Sequence, residues 1–209
     1  MRTNRRKLMN SSAYEQLNYI ENNSTAYIET RFTPNINSSF LYTFAYTRFT
    51  NDDCFGVGSY GNGWGLHTHS SGSFIGYTFG YDIGVHYSNG NSKHSFGLIG
   101  NQVIYDDKAV STFTRKEPDS TYPLLIFCSH TKNPGYYQYQ RVYGLKLWDE
   151  NILVHDFIPV RRRSDGKIGM LDKIDGQFYT SPNGVEFIGG WQLINKNRLW
   201  QRNGLKTVY

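Results

Sequence analysis

Apolar and polar residues alternate with a period of two along most of the chain, from Leu17 to about Gly190. This is the pattern of half-buried β-strands, in which neighbouring side chains point to opposite faces. No stretch sustains a 3.6-residue apolar period over three turns, so helix is not expected. The alternation predicts strands at 26–32, 39–48, 54–60, 63–69, 73–79, 83–87, 92–99, 102–105, 109–114, 124–130, 138–148, 152–159 and 167–171. Turn residues separate them: Gly61-Asn62-Gly63, Ser71-Gly72, Ser88-Asn89-Gly90, Gly100-Asn101, Asn133-Pro134-Gly135, Asp149-Glu150-Asn151, Asp165-Gly166 and Asp175-Gly176. Short strands with such punctuation indicate an all-β antiparallel sandwich or barrel. Gly100-Asn101 and Asp149-Glu150-Asn151 lie between apolar pairs, as hairpin connections do.

Composition agrees with this pattern. Tyr (17), Phe (13) and Trp (4) bring the aromatic fraction to 16%, and the 21 glycines serve turns. A chain of 209 residues can bury one large core without disulfides or metal. Cys54 and Cys128 are too few for a disulfide framework and are not spaced as metal ligands, so both are expected as buried free thiols. No apolar run approaches the roughly 18 residues needed to span a bilayer. The start is basic, but the apolar stretch of a signal peptide does not follow it, so export by the general secretory route is not expected.

Charge divides the chain into three parts. Residues 1–12 carry Arg2, Arg5, Arg6 and Lys7 and no acid. Residues 191–209 carry Lys196, Arg198, Arg202 and Lys206, again with no acid. Removing these eight from the 22 basic residues leaves 14 against all 17 acids, so residues 13–190 are slightly negative although the whole chain is +5. This gives a basic N-terminal arm (1–12), a domain (13–190) and a basic C-terminal tail (191–209). Such ends suit contact with an acidic surface, and Arg2, Arg5, Arg6, Lys7, Arg198 and Arg202 are the candidate docking residues.

Two stretches carry a more specific signature. One is Leu17-Asn18-Tyr19-Ile20-Glu21 with Thr25-Ala26-Tyr27-Ile28-Glu29-Thr30 and Phe32-Thr33-Pro34-Asn35. The other runs from Tyr143-Gly144-Leu145-Lys146-Leu147-Trp148-Asp149 through Leu153–Arg162 and Asp165-Gly166 to Ile168-Gly169-Met170-Leu171-Asp172 and Gly176-Gln177-Phe178-Tyr179. Together they resemble the laminin-G-like, concanavalin A-type jelly-roll modules of tailed-bacteriophage structural proteins, which also occur in gut-bacterial genomes. The resemblance brackets residues 17–190; between 40 and 120 it is one of strand rhythm alone. It implies a two-sheet antiparallel jelly-roll sandwich. The alternation assigns Tyr19, Tyr27 and Phe32 to one inner face. Tyr143, Leu145 and Leu147 form another such row, with Gly144, Lys146 and Trp148 opposite. Pro159 is expected at a strand end or edge.

Candidate chemistry is sparse. A jelly-roll glycosidase needs two carboxylates at a fixed separation, and no acids recur at i, i+2, i+4. Asp52-Asp53 and Asp106-Asp107 are adjacent acids on turns. Calcium is the cofactor that laminin-G-like modules often hold at a rim, and Asp52 and Asp53 are the weak candidates for it. His67 and His69 share a face but lack a third ligand. No G-x-S-x-G elbow, P-loop or dinucleotide fingerprint is present. Arg161-Arg162-Arg163 could meet phosphate or form salt bridges. Sugar-site chemistry, an aromatic ring framed by amides, occurs at Tyr60, Asn62 and Trp64 and again at Tyr136 and Tyr137.

These readings lead to the expectation of a non-enzymatic virion structural protein: a capsid decoration, head-fibre or tail-associated component. It would be assembled in the host cytoplasm, partnered by other virion proteins and oligomeric within the assembly. Neither membrane nor nucleic acid is expected as a partner. The alternative is a lectin-like module or phage adhesin for host-surface glycans.

Overall fold

The computed structural model describes residues 13–48, 53–58, 63–68, 74–78, 81–82, 91–118, 121–130 and 134–190. Among them there is no helix. The chain runs through β1 (Tyr14–Gln16), β2 (Tyr19–Asn22), β3 (Ile28–Glu29), β4 (Ser39–Tyr46), β5 (Asp53–Val57), β6 (Trp64–Thr68), β7 (Phe74–Thr78), β8 (Tyr81–Asp82), β9 (His94–Ile99) and β10 (Gln102–Tyr105). It continues through β11 (Lys108–Thr112), β12 (Leu125–Ile126), β13 (Ser129–His130), β14 (Pro134–Gly135), β15 (Gln140–Asp149), β16 (Ile152–Arg162), β17 (Ile168–Asp172), β18 (Phe178–Tyr179) and β19 (Ile188–Gly190).

The large sheet has the order β11-β10-β9-β4-β15-β16-β17-β18, with β1, β2 and β19 attached beside it. The smaller sheet has the order β3-β12-β5-β6-β7-β8, and β13 and β14 form a separate pair. Strands pair antiparallel in both sheets. The two sheets face each other across an aromatic core, which makes the protein a β-sandwich. Phe40 of β4 meets Phe55 of β5 at 4.6 Å and Trp64 of β6 at 5.0 Å between ring centroids, both edge-on. Tyr42 meets Phe55 at 4.6 Å. Edge-to-face contacts of this kind add to the area each ring buries.

Tight turns set the register as their sequences require. Asp106 and Asp107 both have positive φ (45° and 64°), as do Glu150 and Asn151 (48° and 71°). Two such residues between strands twist the hairpin with the natural hand of the sheet. At Gly100-Asn101 only the glycine has positive φ, 58°.

Two inner-face assignments are corrected. Tyr19 and Tyr27 are not core residues: Ile20, Ala26, Ile28 and Thr30 are the buried ones, and only Phe32 keeps the expected side. Tyr143 is likewise on the outer face, against Tyr19 at 5.6 Å. A bulge between Val142 and Gly144 adds one residue to β15 opposite β4, so the inward row is Val142, Leu145, Leu147. An inserted residue flips every later side chain relative to a strict period of two.

The run 124–130 is also not one strand. Phe127 has φ 79° and breaks it into β12, in the smaller sheet, and β13. Pro159 neither ends β16 nor lies on its outer edge. β15 pairs with β16 as far as Leu145↔Phe157, and β1 takes over at Gln16↔Val160. Pro159 sits in the gap between them, where no ladder needs its missing N–H, and its carbonyl accepts from Leu17 N–H at 3.0 Å.

Candidate functional site

The motif stretches that are most specific in sequence build the frame. Arg161 pairs with Glu15 at 2.8 Å. Arg162 makes a two-pronged contact with Asp165 (3.0 and 2.6 Å) and lies 4.5 Å from the Phe178 ring centre. That contact holds the Asp165 carboxyl down at about 2. Two of the three consecutive arginines are therefore committed to the domain itself, while Arg163 is exposed.

Asp172 is the other motif residue with a defined structural task. It is fully buried at the end of β17. One oxygen accepts the N–H groups of Asp156 and Ile174, each at 2.9 Å, and the other lies 2.6 Å from His155 Nδ1. Burial alone would push this carboxyl up; the bonds from His155 and from the two backbone N–H groups outweigh it and hold the group below its usual range. The His155 ring is fixed by stacking on Phe157 and by an edge contact with Phe32. Asp175 completes a His-Asp-Asp group whose ligand atoms lie within 4.8 Å of one another. These are metal-ligand types, but both oxygens of each carboxylate already accept from the chain; those of Asp175 take Gln177 N–H and the Tyr179 hydroxyl. The arrangement works as an internal network that closes the β16–β17–β18 corner.

Ser92, His94 and Asp106 form a hydroxyl–imidazole–carboxylate series, with 2.8 Å at each link. The Tyr105 hydroxyl also sits 2.8 Å from Nδ1, and the Asp106 side chain is 46% exposed. The orienting carboxylate of a catalytic triad is buried, whereas that of Asp106 is nearly half exposed. Here the same carboxylate accepts Ser95 N–H, which fixes the mouth of the β9–β10–β11 hairpins.

Of the expected sugar-site residues, Trp64 is a correction. It is wholly buried between Phe40 and Phe55 and offers no ring face to a ligand. Tyr60 and Asn62 lie outside the described residues. Tyr136 and Tyr137 are at the surface. Tyr136 is 62% exposed and has φ 56°; the Tyr137 ring lies 6.3 Å from that of Tyr27. Burial, and then the nearby Cys128, push the Tyr27 and Tyr137 hydroxyls up.

Three loops converge at these tyrosines. Asn22 Nδ2 donates to Ser24 O at 3.1 Å and to Gln138 O at 3.3 Å. Asn183 Nδ2 donates to Thr25 O at 2.8 Å, and Tyr27 N–H donates to Ser181 Oγ at 3.3 Å. Sequence reading missed Tyr27 here because alternation assigned it to the core. Asn183 carried no signal beyond a turn-forming residue type.

Asp53 opens β5 opposite His67, and Asp52 and His69 lie outside the described residues. Cys128 is buried and is not in a disulfide. Arg2, Arg5, Arg6, Lys7, Arg198 and Arg202 also lie outside the described residues, but the points where their segments join the domain are defined. Arg163 N–H donates to Ala13 O at 2.9 Å, and Asn18 N–H donates to Gly190 O at 2.8 Å. Asn18 follows Ala13 by five positions, so the two junctions are at most about 18 Å apart.

The chain matches no family model, no curated protein and no solved structure.

Proposed function

We propose that the chain is a non-enzymatic virion structural protein of a tailed phage, a jelly-roll module of the laminin-G-like kind that docks onto a larger assembly through its basic ends. The observation that carries the reading is the convergence of the two junctions. Eight basic side chains and no acid are attached, in two segments, to one region of the large sheet, while residues 13–190 are slightly acidic. Clustered charge of one sign steers and orients a module on an oppositely charged neighbour. Exposed Arg163 lies at the same junction and adds to that charge. The motif residues support the reading in a second way, since Arg162, Asp165 and Asp172 serve the frame.

The test is deletion of residues 1–12. The truncated chain is expected to keep the β-sheet circular dichroism of the full chain and to be missing from purified particles by mass spectrometry. Incorporation at the normal level would overturn the docking role of that segment.

A further inference from the structure

We propose that Tyr19, Tyr143, Arg141 and Lys93 form a carboxylate-reading hot spot that seats an acidic segment of a partner protein. The inference rests on the docking reading above and names the centre of the docked surface.

The four side chains share the outer face of the large sheet. Tyr19 stands on β2, Arg141 and Tyr143 stand on β15, and Lys93 immediately precedes β9. β4 passes between β15 and β9 and places only the small Ala45 opposite Arg141. The Tyr19 and Tyr143 rings meet edge-on, 5.6 Å between centres. The Arg141 guanidinium lies 4.8 Å from the Tyr19 ring centre, and Lys93 Nζ lies 4.6 Å from that of Tyr143. A cation over a ring face at such distances is attracted by the ring quadrupole. Tyr19 also lies against the backbone of Gly190, where an added Cβ would come within 2.2 Å of the ring. Gly190 is the residue paired with Tyr19 and the root of the basic C-terminal tail, so the cluster borders the docking region.

Arg141 is held in place but not used up. Its Nε donates to Glu21 Oε2 at 2.7 Å, and Glu21 is the more covered of the two, 16% against 42% exposed. The two terminal nitrogens of Arg141 have no hydrogen-bond partner among the described residues. A guanidinium fixed by an ion pair and a ring, with donors still open, is set to take a second carboxylate through two parallel bonds. Fixing it beforehand reduces the freedom lost on binding. Lys93 is exposed, has no acidic partner among the described residues and adds a second cation. Tyrosine and arginine are the residue types enriched at the centres of protein interfaces. A sheet face crossing several strands offers a partner protein breadth, whereas a small molecule needs enclosure.

The full chain is to be titrated into fluorescein-labelled octaglutamate and followed by fluorescence anisotropy. Binding is expected, and it should be about ten-fold weaker in Arg141→Lys, which keeps the charge but loses the fork. Lys93→Ala should weaken it about three-fold. Lys146→Ala, which removes an exposed cation from the same strand, should leave it unchanged. Arg141→Lys retains a charge opposite Glu21, so its melting temperature should match wild type, which separates lost binding from lost folding. Wild-type affinity in Arg141→Lys would overturn the proposal, because the basic ends would then hold the peptide by charge alone. No binding would overturn it too, as would equal Arg141-dependent binding of an oligothymidylate of the same length, since the fork would then be reading phosphate. If deletion of residues 1–12 blocks incorporation while Arg141→Lys binds octaglutamate like wild type, the docking reading stands and this centre for it is refuted.

Discussion

Replacing Asp172 probes how a fully buried carboxylate is held at the β16–β17–β18 corner. Asp172→Ala removes the acceptor from Asp156 N–H in the interior, from Ile174 N–H nearer the surface, and from His155 Nδ1. A buried donor left unpaired costs about 1–3 kcal/mol, and a bond of the kind made to His155 is worth about 1.5–3 kcal/mol. With partial relief by water, a loss of about 3–5 kcal/mol is expected, a large share of the 5–15 kcal/mol typical of a domain. Asp172→Asn keeps an oxygen for both N–H groups and weakens only the histidine contact, so it should cost about 1–2 kcal/mol.

Acid acts on the same group. The Asp172 carboxyl lies lower in the folded chain than in the unfolded one, so its contribution is complete above the unfolded value of about 3.9 and is lost as pH falls through the folded value. Urea denaturation of wild type, Ala and Asn variants at neutral pH, repeated down the acid range, measures both effects. The Asn variant should lack this part of the acid dependence. Equal stability of the Ala and Asn variants would refute the account, because the backbone N–H groups would then not need the carboxylate.

Three further substitutions test the frame. Arg115 donates to Gly100 O, Ile36 O, Ser38 O and Ser39 Oγ at 2.7–2.9 Å, so Arg115→Ala should cost about 2–4 kcal/mol in a chemical melt, and Lys, lacking the planar fork, should not restore it. Trp64→Ala should cost about 3–5 kcal/mol by the same measurement, as for other buried aromatics. At Gly169 an added Cβ would lie 2.1 Å from Tyr179 O, so Gly169→Ala must displace β18; a melting temperature equal to wild type would contradict that close approach.

Local chemistry made much of the sandwich legible in the sequence. Gln102–Tyr105 matches its expected strand because turn residues bound it on both sides, and Ser39–Tyr46 matches the expected 39–48 but for the last two residues because aromatics recur at every second position. Gly100-Asn101 and Glu150-Asn151 turn where the sequence places them, with positive φ at Gly100 and Asn151, whose types favour it, and at Glu150, whose type does not. The division of charge between ends and domain is likewise a property of the chain alone. Strands of two or three residues, such as β1, β3 and β19, are too short to carry a period and exist through their partners.

Tertiary structure decided the rest. A single bulged residue in β15 moved Tyr143 to the outer face, and no period of two can announce an insertion whose cause is the neighbouring strand. Trp64 reads as a loop aromatic beside Gly61-Asn62-Gly63, yet the second sheet closes over it, since a large apolar ring is more stable against Phe40 and Phe55 than in water. Arg115 looks unremarkable in the chain, and the signature stretches that hold His155 and Asp172 do not announce their pairing; their partners, up to 79 residues away, are supplied by the fold. Tyr27 and Tyr137 are 110 positions apart, and only the meeting of three loops makes them neighbours. Sequence determined that the chain would be a sheet protein with charged ends; packing determined which aromatics face the core and which are left at the surface.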